Sequence, residues 1–197
     1  MSDDGTPRLI LASTSAYRRE LLGRLRLPFE CQPPACDEQR LPDEPAQALA
    51  MRLARLKAEA VAARHPGSVV IGSDQVAVRG TEILGKPGTV ERCREQLQQS
   101  SGREVAFLTA AHLVDGCHGR AESHLDYTLV RFRTLAAEEI TRYVVADAPL
   151  DCAGGFKAES LGIALFERIE SADPTALTGL PLIWVSAALR RAGIPVP

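Results

Sequence analysis

Short apolar runs alternate along this chain with longer stretches in which apolar residues recur every three to four positions, the pattern of strands interleaved with amphipathic helices. Leu9-Ile10-Leu11-Ala12 reads as a short buried strand. Ser13-Thr14-Ser15 then supplies hydroxyls suited to capping a helix that runs through Leu21, Leu22 and Leu25. A Pro-rich turn region spans Gln32 to Pro45, and a long helix is predicted from about Pro45 to His65, since proline suits a first helical turn. Val69-Val70-Ile71-Gly72 is the next buried strand, expected to deliver Ser73 and Asp74 at its C-terminal end. A helix follows around Thr89 to Gln99, then two long β-like runs, Glu104 to Val114 and His124 to Phe132, parted by the turn signal Asp115-Gly116. A helix over Ala136 to Val145, a Gly-rich turn at Gly154-Gly155, an apolar run from Ile163 to Phe166 and a last helix from about Leu180 to Ala192 complete the sequence.

Strands alternating with helices, beside two adjacent antiparallel runs, imply an α/β fold with a mixed twisted sheet flanked by helices. In such sheets ligands gather in a cleft at strand C-terminal ends. With 197 residues, 45% hydrophobic, and no repeat or long linker, the chain is read as one domain over 1–197, two lobes around a central cleft. Its 23 basic and 25 acidic residues are interleaved to a net charge of -2, which argues against coating polymeric nucleic acid or an anionic membrane. An anionic ligand must therefore meet a local basic cluster. The five cysteines, Cys31, Cys36, Cys93, Cys117 and Cys152, form no C-x-x-C pair and read as reduced thiols. Met1 to Pro7 is polar and acidic, and the apolar run behind it is too short for a signal segment or a membrane span, so a cytoplasmic location is expected.

Several residues carry candidate chemistry. Ser13-Thr14-Ser15-Ala16-Tyr17-Arg18-Arg19 sits where a strand turns into a helix, so hydroxyls, backbone N–H groups and two guanidinium forks have the means to converge on one phosphate. Taken alone, the segment reads equally as a hydroxyl cap followed by solvated arginines. Lys57 lies four residues from Leu53 and Val61 and eight from Leu49, on the apolar helix face, where it either meets an anion or snorkels past the core edge to water. Asp74 stands where a carboxylate reaches a metal ion or orients a water, or else it is an ordinary turn residue. Lys86 is aimed by the turn Gly85-Lys86-Pro87-Gly88 or is simply exposed, and Asp37 and Glu38 lie in the Pro-rich stretch as paired acids. No Walker P-loop, H-E-x-x-H, G-x-S-x-G or G-x-G-x-x-G occurs.

In order and spacing, Leu11-Ala12-Ser13-Thr14-Ser15 with Arg18-Arg19, Asp37-Glu38, Lys57-Ala58, Gly72-Ser73-Asp74-Gln75 and Gly85-Lys86-Pro87 resemble the Maf family of nucleotide pyrophosphatases. The match continues through Cys152-Ala153-Gly154-Gly155-Phe156-Lys157-Ala158-Glu159 and Gly179-Leu180-Pro181-Leu182. The resemblance implies an inosine-triphosphatase-like α/β fold, a homodimer, and hydrolysis of a nucleoside triphosphate to monophosphate and pyrophosphate with a divalent cation, Mg²⁺ or Mn²⁺. It further implies that Ser13, Arg18, Arg19, Lys57 and Lys86 grip the phosphates, that Glu38 and Asp74 serve the metal, and that Asp74 is the proton acceptor. Within the family the chain is similar to the branch that acts on 7-methyl-GTP, through Tyr17, Gln75 and Glu159. An aromatic ring at Tyr17 suits stacking on the cationic base, worth roughly 0.5–2 kcal/mol, and Glu159 suits guanine's N1–H and N2–H₂ donors. The alternatives are a dTTP/UTP pyrophosphatase of the same family and a non-catalytic, nucleotide-binding regulator of septum formation.

Overall fold

Seven strands make one sheet in the computed structural model, which describes residues 7–197; of the polar N-terminal stretch only Pro7 falls within them. The strands are β1 (Leu9–Leu11), β2 (Glu30–Cys31), β3 (Val69–Arg79), β4 (Glu82–Leu84), β5 (Glu104–Asp115), β6 (Arg120–Phe132) and β7 (Phe166–Ser171). Their order is β2-β1-β3-β5-β6-β7, with β4 also pairing with β3. β1 runs parallel to both neighbours, and every other pairing is antiparallel, so the sheet is mixed, as the alternation of elements implies. The helices are α1 (Ala16–Gly23), α2 (Ala46–Ala62), α3 (Val90–Ser100), α4 (Ala137–Asp147) and α5 (Leu182–Arg191). Among the described residues no helix is long and apolar enough to cross a membrane.

Alternation along β3 assigns the two faces. Val69 and Ile71 pack with Leu21 and Leu22 of α1 and Val185 and Leu189 of α5, whereas Val70 packs with Ala58 and Val61 of α2. Ile71 is fully buried, which contributes about 1.5–3 kcal/mol relative to an exposed side chain. Towards β7 the core becomes aromatic: Phe107, Phe132, Phe156 and Phe166 meet edge to face, with centroids 4.8–5.6 Å apart.

Several boundaries differ from the sequence reading, and α1 ends at Gly23, short of Leu25. β3 does not stop at Ser73-Asp74 but continues to Arg79, because β5 pairs with it from Val69 to Val78 and the apolar run resumes at Val76-Ala77-Val78. Asp74 is thus a mid-strand residue. β6 starts at Arg120 rather than His124, its polar first residues being held by the ladder to β5. The apolar run from Ile163 belongs to a 3-10 turn over Leu161–Leu165, and a strand then follows over Phe166–Ser171.

Candidate functional site

β1 pairs with β3 only over Val69–Ile71, and β4 joins the same edge only from Ala77. Between them, among the described residues, the β3 edge from Gly72 to Val76 has no neighbouring strand, and Asp74 lies in this interval. The crevice at the end of β1 is the position at which sheets of this kind bind ligands.

α2 brings Lys57 to the crevice. Its small residues Ala50, Ala54 and Ala58 face the sheet, and Gly72 is where the backbones meet. A Cβ at Gly72 would lie 2.3 Å from the Ala54 carbonyl oxygen and 2.6 Å from Ala58 N, so no larger residue fits without moving the helix. Lys57 Nζ then sits 2.6 Å from Asp74 Oδ1 and 2.6 Å from Glu38 Oε2. The lysine side chain is 6% exposed and that of Asp74 12%, while Glu38 is half exposed. Lys57 therefore does not snorkel to water; it bridges two carboxylates.

The loop bearing Glu38 has no regular secondary structure and is fastened by charged side chains. Arg52 of α2 donates to both carboxylate oxygens of Glu44, at 2.6 and 2.8 Å, and to the Gln39 carbonyl at 3.0 Å. The guanidinium holds the Glu44 carboxyl down at about 2. Arg64 donates to the Pro33 carbonyl at the other end of the loop.

Ser13 and α1 form the opposite wall. Ser15 caps the helix, its hydroxyl accepting from Arg18 N–H at 3.4 Å, while buried Ser13 accepts from Ser15 N–H at 3.1 Å. The first turn carries no acid, so its positive end faces the cavity unopposed. Arg18 points inward and its Nε donates to the Gly179 carbonyl at 3.0 Å; Ser73, next to Asp74, donates to the same oxygen at 2.8 Å. Burial pushes the Arg18 guanidinium pKa down, and the nearby Asp74 and Glu38 charges pull it back up. Gly179 has φ +111°, and a Cβ there would come 3.3 Å from Arg18 Nε, so the turn over Ala176–Gly179 is shaped to receive the arginine. Arg19 is not brought in with Arg18. It is exposed and lines neither cavity, since successive helical residues point about 100° apart.

Two adjoining cavities result. One, of about 460 Å³, is lined by Ser13, Arg18, Glu38, Lys57 and Lys86. The other, of about 140 Å³, is lined by Tyr17, Gln75, Phe107, Glu159 and the turn Leu177–Gly179. Lys86 is exposed and borders both. The Cys152 thiol donates to the Tyr17 hydroxyl at 3.7 Å, and burial pushes the thiol up to about 11. The Tyr17 phenol is likewise pushed up by burial. Gln75 borders the smaller cavity, but its amide N–H groups are engaged by Thr109 Oγ1 and the Ala176 and Leu177 carbonyls. Asp151 borders both cavities and was not singled out in the sequence, where it is one loop acid among 25 acidic residues.

Chemically, the larger cavity offers cations for an anionic chain and a carboxylate beside a lysine. Among the described residues no three His, Cys, Asp or Glu side chains cluster as a complete metal cage. Glu38 and Asp74, which share Lys57, still fit Mg²⁺ or Mn²⁺, because hard carboxylate oxygens suit these ions and Mg²⁺ is normally held by one or two carboxylates together with substrate phosphates.

The family described as "Maf-like protein" matches residues 8–192. A 7-methyl-GTP pyrophosphatase of Xanthomonas campestris pv. campestris is 58% identical over 191 residues, covering 97% of this chain and 99% of the relative. One of Pseudomonas putida is 52% identical over 189 residues, covering 96% and 98%. Among solved structures, the Ham1 protein of Staphylococcus aureus is 15% identical with a TM-score of 0.46, covering 64% of this chain and 72% of that one.

Proposed function

The chain belongs to the Maf family, and from that premise we propose that it is a nucleoside triphosphate pyrophosphatase that hydrolyses 7-methyl-GTP to 7-methyl-GMP and pyrophosphate with Mg²⁺ or Mn²⁺. The observation that carries this reading is the Glu38–Lys57–Asp74 cluster at the open edge of β3: Glu38 and Lys57 line a cavity of about 460 Å³ together with Arg18 and Lys86, and Lys57 is bonded to the buried Asp74. Its expected setting is the cytoplasm, as a homodimer.

The substrate's triphosphate lies in the larger cavity, against Arg18, Lys86, Ser13 and the first turn of α1. Asp74 takes a proton from water as the water oxygen bonds to the α-phosphorus, and the bond from that phosphorus to the oxygen of the leaving pyrophosphate breaks. Lys57 fixes one Asp74 oxygen, so that the other is left to accept the proton, and its ammonium offsets the charge of Asp74 beside the phosphates. Arg18 and Lys86 meet the charge that develops on the leaving group. Glu38 and Asp74 would hold the divalent ion, which would supply further neutralisation of the phosphates. In the smaller cavity Tyr17 stacks on the cationic base and Glu159 accepts from guanine N1–H and N2–H₂.

The test is the initial rate of pyrophosphate release from 7-methyl-GTP, GTP, UTP and dTTP, each with Mg²⁺ or Mn²⁺. Fastest release from 7-methyl-GTP supports the whole reading. A preference for UTP or dTTP keeps the reaction and overturns the base assignment, and saturable binding without release from any of the four favours a regulator.

The shared Gly179 carbonyl makes Ser73 a positioning residue for Arg18. Ser73→Ala is expected to weaken pyrophosphate binding about tenfold, the scale of one lost hydrogen bond, and to cost about 1–3 kcal/mol of stability because the buried hydroxyl also donates to the Ala110 carbonyl, with binding rescued by Ser73→Thr. Calorimetric titration with pyrophosphate reads this directly; wild-type affinity in Ser73→Ala removes Ser73 from the phosphate site.

A further inference from the structure

Among the described residues, five line both cavities: Ser15, Tyr17, Arg18, Lys86 and Asp151. In a nucleotide the group between the phosphates and the base is the ribose, so a side chain that borders both compartments stands beside the sugar. Glu38 borders the phosphate side alone and Glu159 the base side alone; of the carboxylates lining these cavities, Asp151 is the one common to both.

The wall that carries it is held in place. Gly88 N–H donates to the Leu150 carbonyl at 3.0 Å, which ties the Lys86 turn to the Asp151 loop. Phe156, a few residues on, is anchored in the aromatic cluster with Phe107, Phe132 and Phe166. The Cys152 sulfur lies 3.6 Å from Asp151 Oδ1, but its single proton is directed to the Tyr17 hydroxyl, and no cation pairs with the Asp151 carboxylate among the described residues. An ionised carboxylate accepts hydrogen bonds and donates none. Phosphate oxygens are also acceptors and repel it, whereas the ribose hydroxyls are the donors a nucleotide presents at this point. Acids perform the same task in dinucleotide-binding folds, where an Asp or Glu takes the ribose 2′-hydroxyl.

We infer that Asp151 accepts a hydrogen bond from the ribose 2′-hydroxyl and makes the site select ribonucleotides over 2′-deoxyribonucleotides. This rests on the pyrophosphatase reading above and adds the recognition of the sugar to it.

Two measurements test it on wild type and Asp151→Ala: kcat/KM for 7-methyl-GTP against its 2′-deoxy counterpart, and calorimetric affinity for the two corresponding monophosphates. Wild type is expected to favour the ribose form at least about tenfold, the scale of a hydrogen bond to a charged group, and Asp151→Ala is expected to reduce that preference to within about twofold. Because Asp151 is exposed, the variant is expected to fold, which its thermal unfolding checks. Equal handling of both sugars by wild type overturns the inference, as does a preference that survives in Asp151→Ala. So does a variant that loses discrimination between methylated and plain GTP but keeps its sugar preference, since Asp151 then reads the charge of the base. If no nucleotide releases pyrophosphate, the proposed reaction fails separately, and the monophosphate affinities alone decide whether Asp151 contacts the sugar.

Discussion

Asp74→Asn is expected to lower kcat for pyrophosphate release by at least about 10²-fold while nucleotide affinity stays within a few-fold of wild type. The substitution preserves shape and leaves an oxygen for Lys57, whose ammonium also keeps Glu38, so no buried charge is stranded. Asp74 sits within a strand paired along ten residues with β5, so its backbone has no reason to move. What disappears is the capacity to take a proton. Steady-state rates together with calorimetric nucleotide affinity separate the outcomes. Normal turnover moves the base elsewhere, and a loss of affinity in proportion to the loss of rate means that Asp74 acts mainly by holding the metal and phosphates.

How far such a site is legible beforehand depends on the range of the interactions that build it. Lys57 stands out on an apolar helical face because its neighbours at Leu53 and Val61 are set by local periodicity. The strand starting at Val69 and the capping hydroxyl at Ser15 are local features too. The mid-strand position of Asp74 is not: Ser73-Asp74-Gln75 looks like a strand end, and only the long partner β5 carries the strand through it. β2 and β4 are two and three residues long, and β7, at a sheet edge, sets only Phe166 and Ile169 among Glu167, Arg168 and Glu170, so none shows the apolar run that marks a buried strand. Arg18 and Arg19 are equivalent in sequence, and the helix phase alone sends one inward. The Gly179 carbonyl lies 106 residues from Ser73, and its meeting with Arg18 is a property of the fold rather than of any segment.

Lys57→Met separates what this cluster does for the fold from what it does for the reaction. Removing the ammonium leaves Asp74 and Glu38 without the cation that bridges them. Glu38 is half exposed and can turn to water, but Asp74 is fixed in the sheet, so the cost falls on Asp74. Breaking a buried pair by deleting one partner costs about 3–5 kcal/mol, which for a chain of this size lowers the unfolding midpoint by roughly 6–20 °C. Pyrophosphate release is expected to fall by at least about 10²-fold, because the lysine fixes the oxygen next to the one that accepts the proton. Adding Asp74→Asn removes the uncompensated charge, so the double variant is expected to regain part of the lost midpoint and none of the activity. If the double variant unfolds as early as Lys57→Met alone, the loss comes from the packing of the lysine stem between Leu53 and Val61. A single variant with wild-type stability and wild-type rate would mean that the bridge between Glu38 and Asp74 is not the centre of the site.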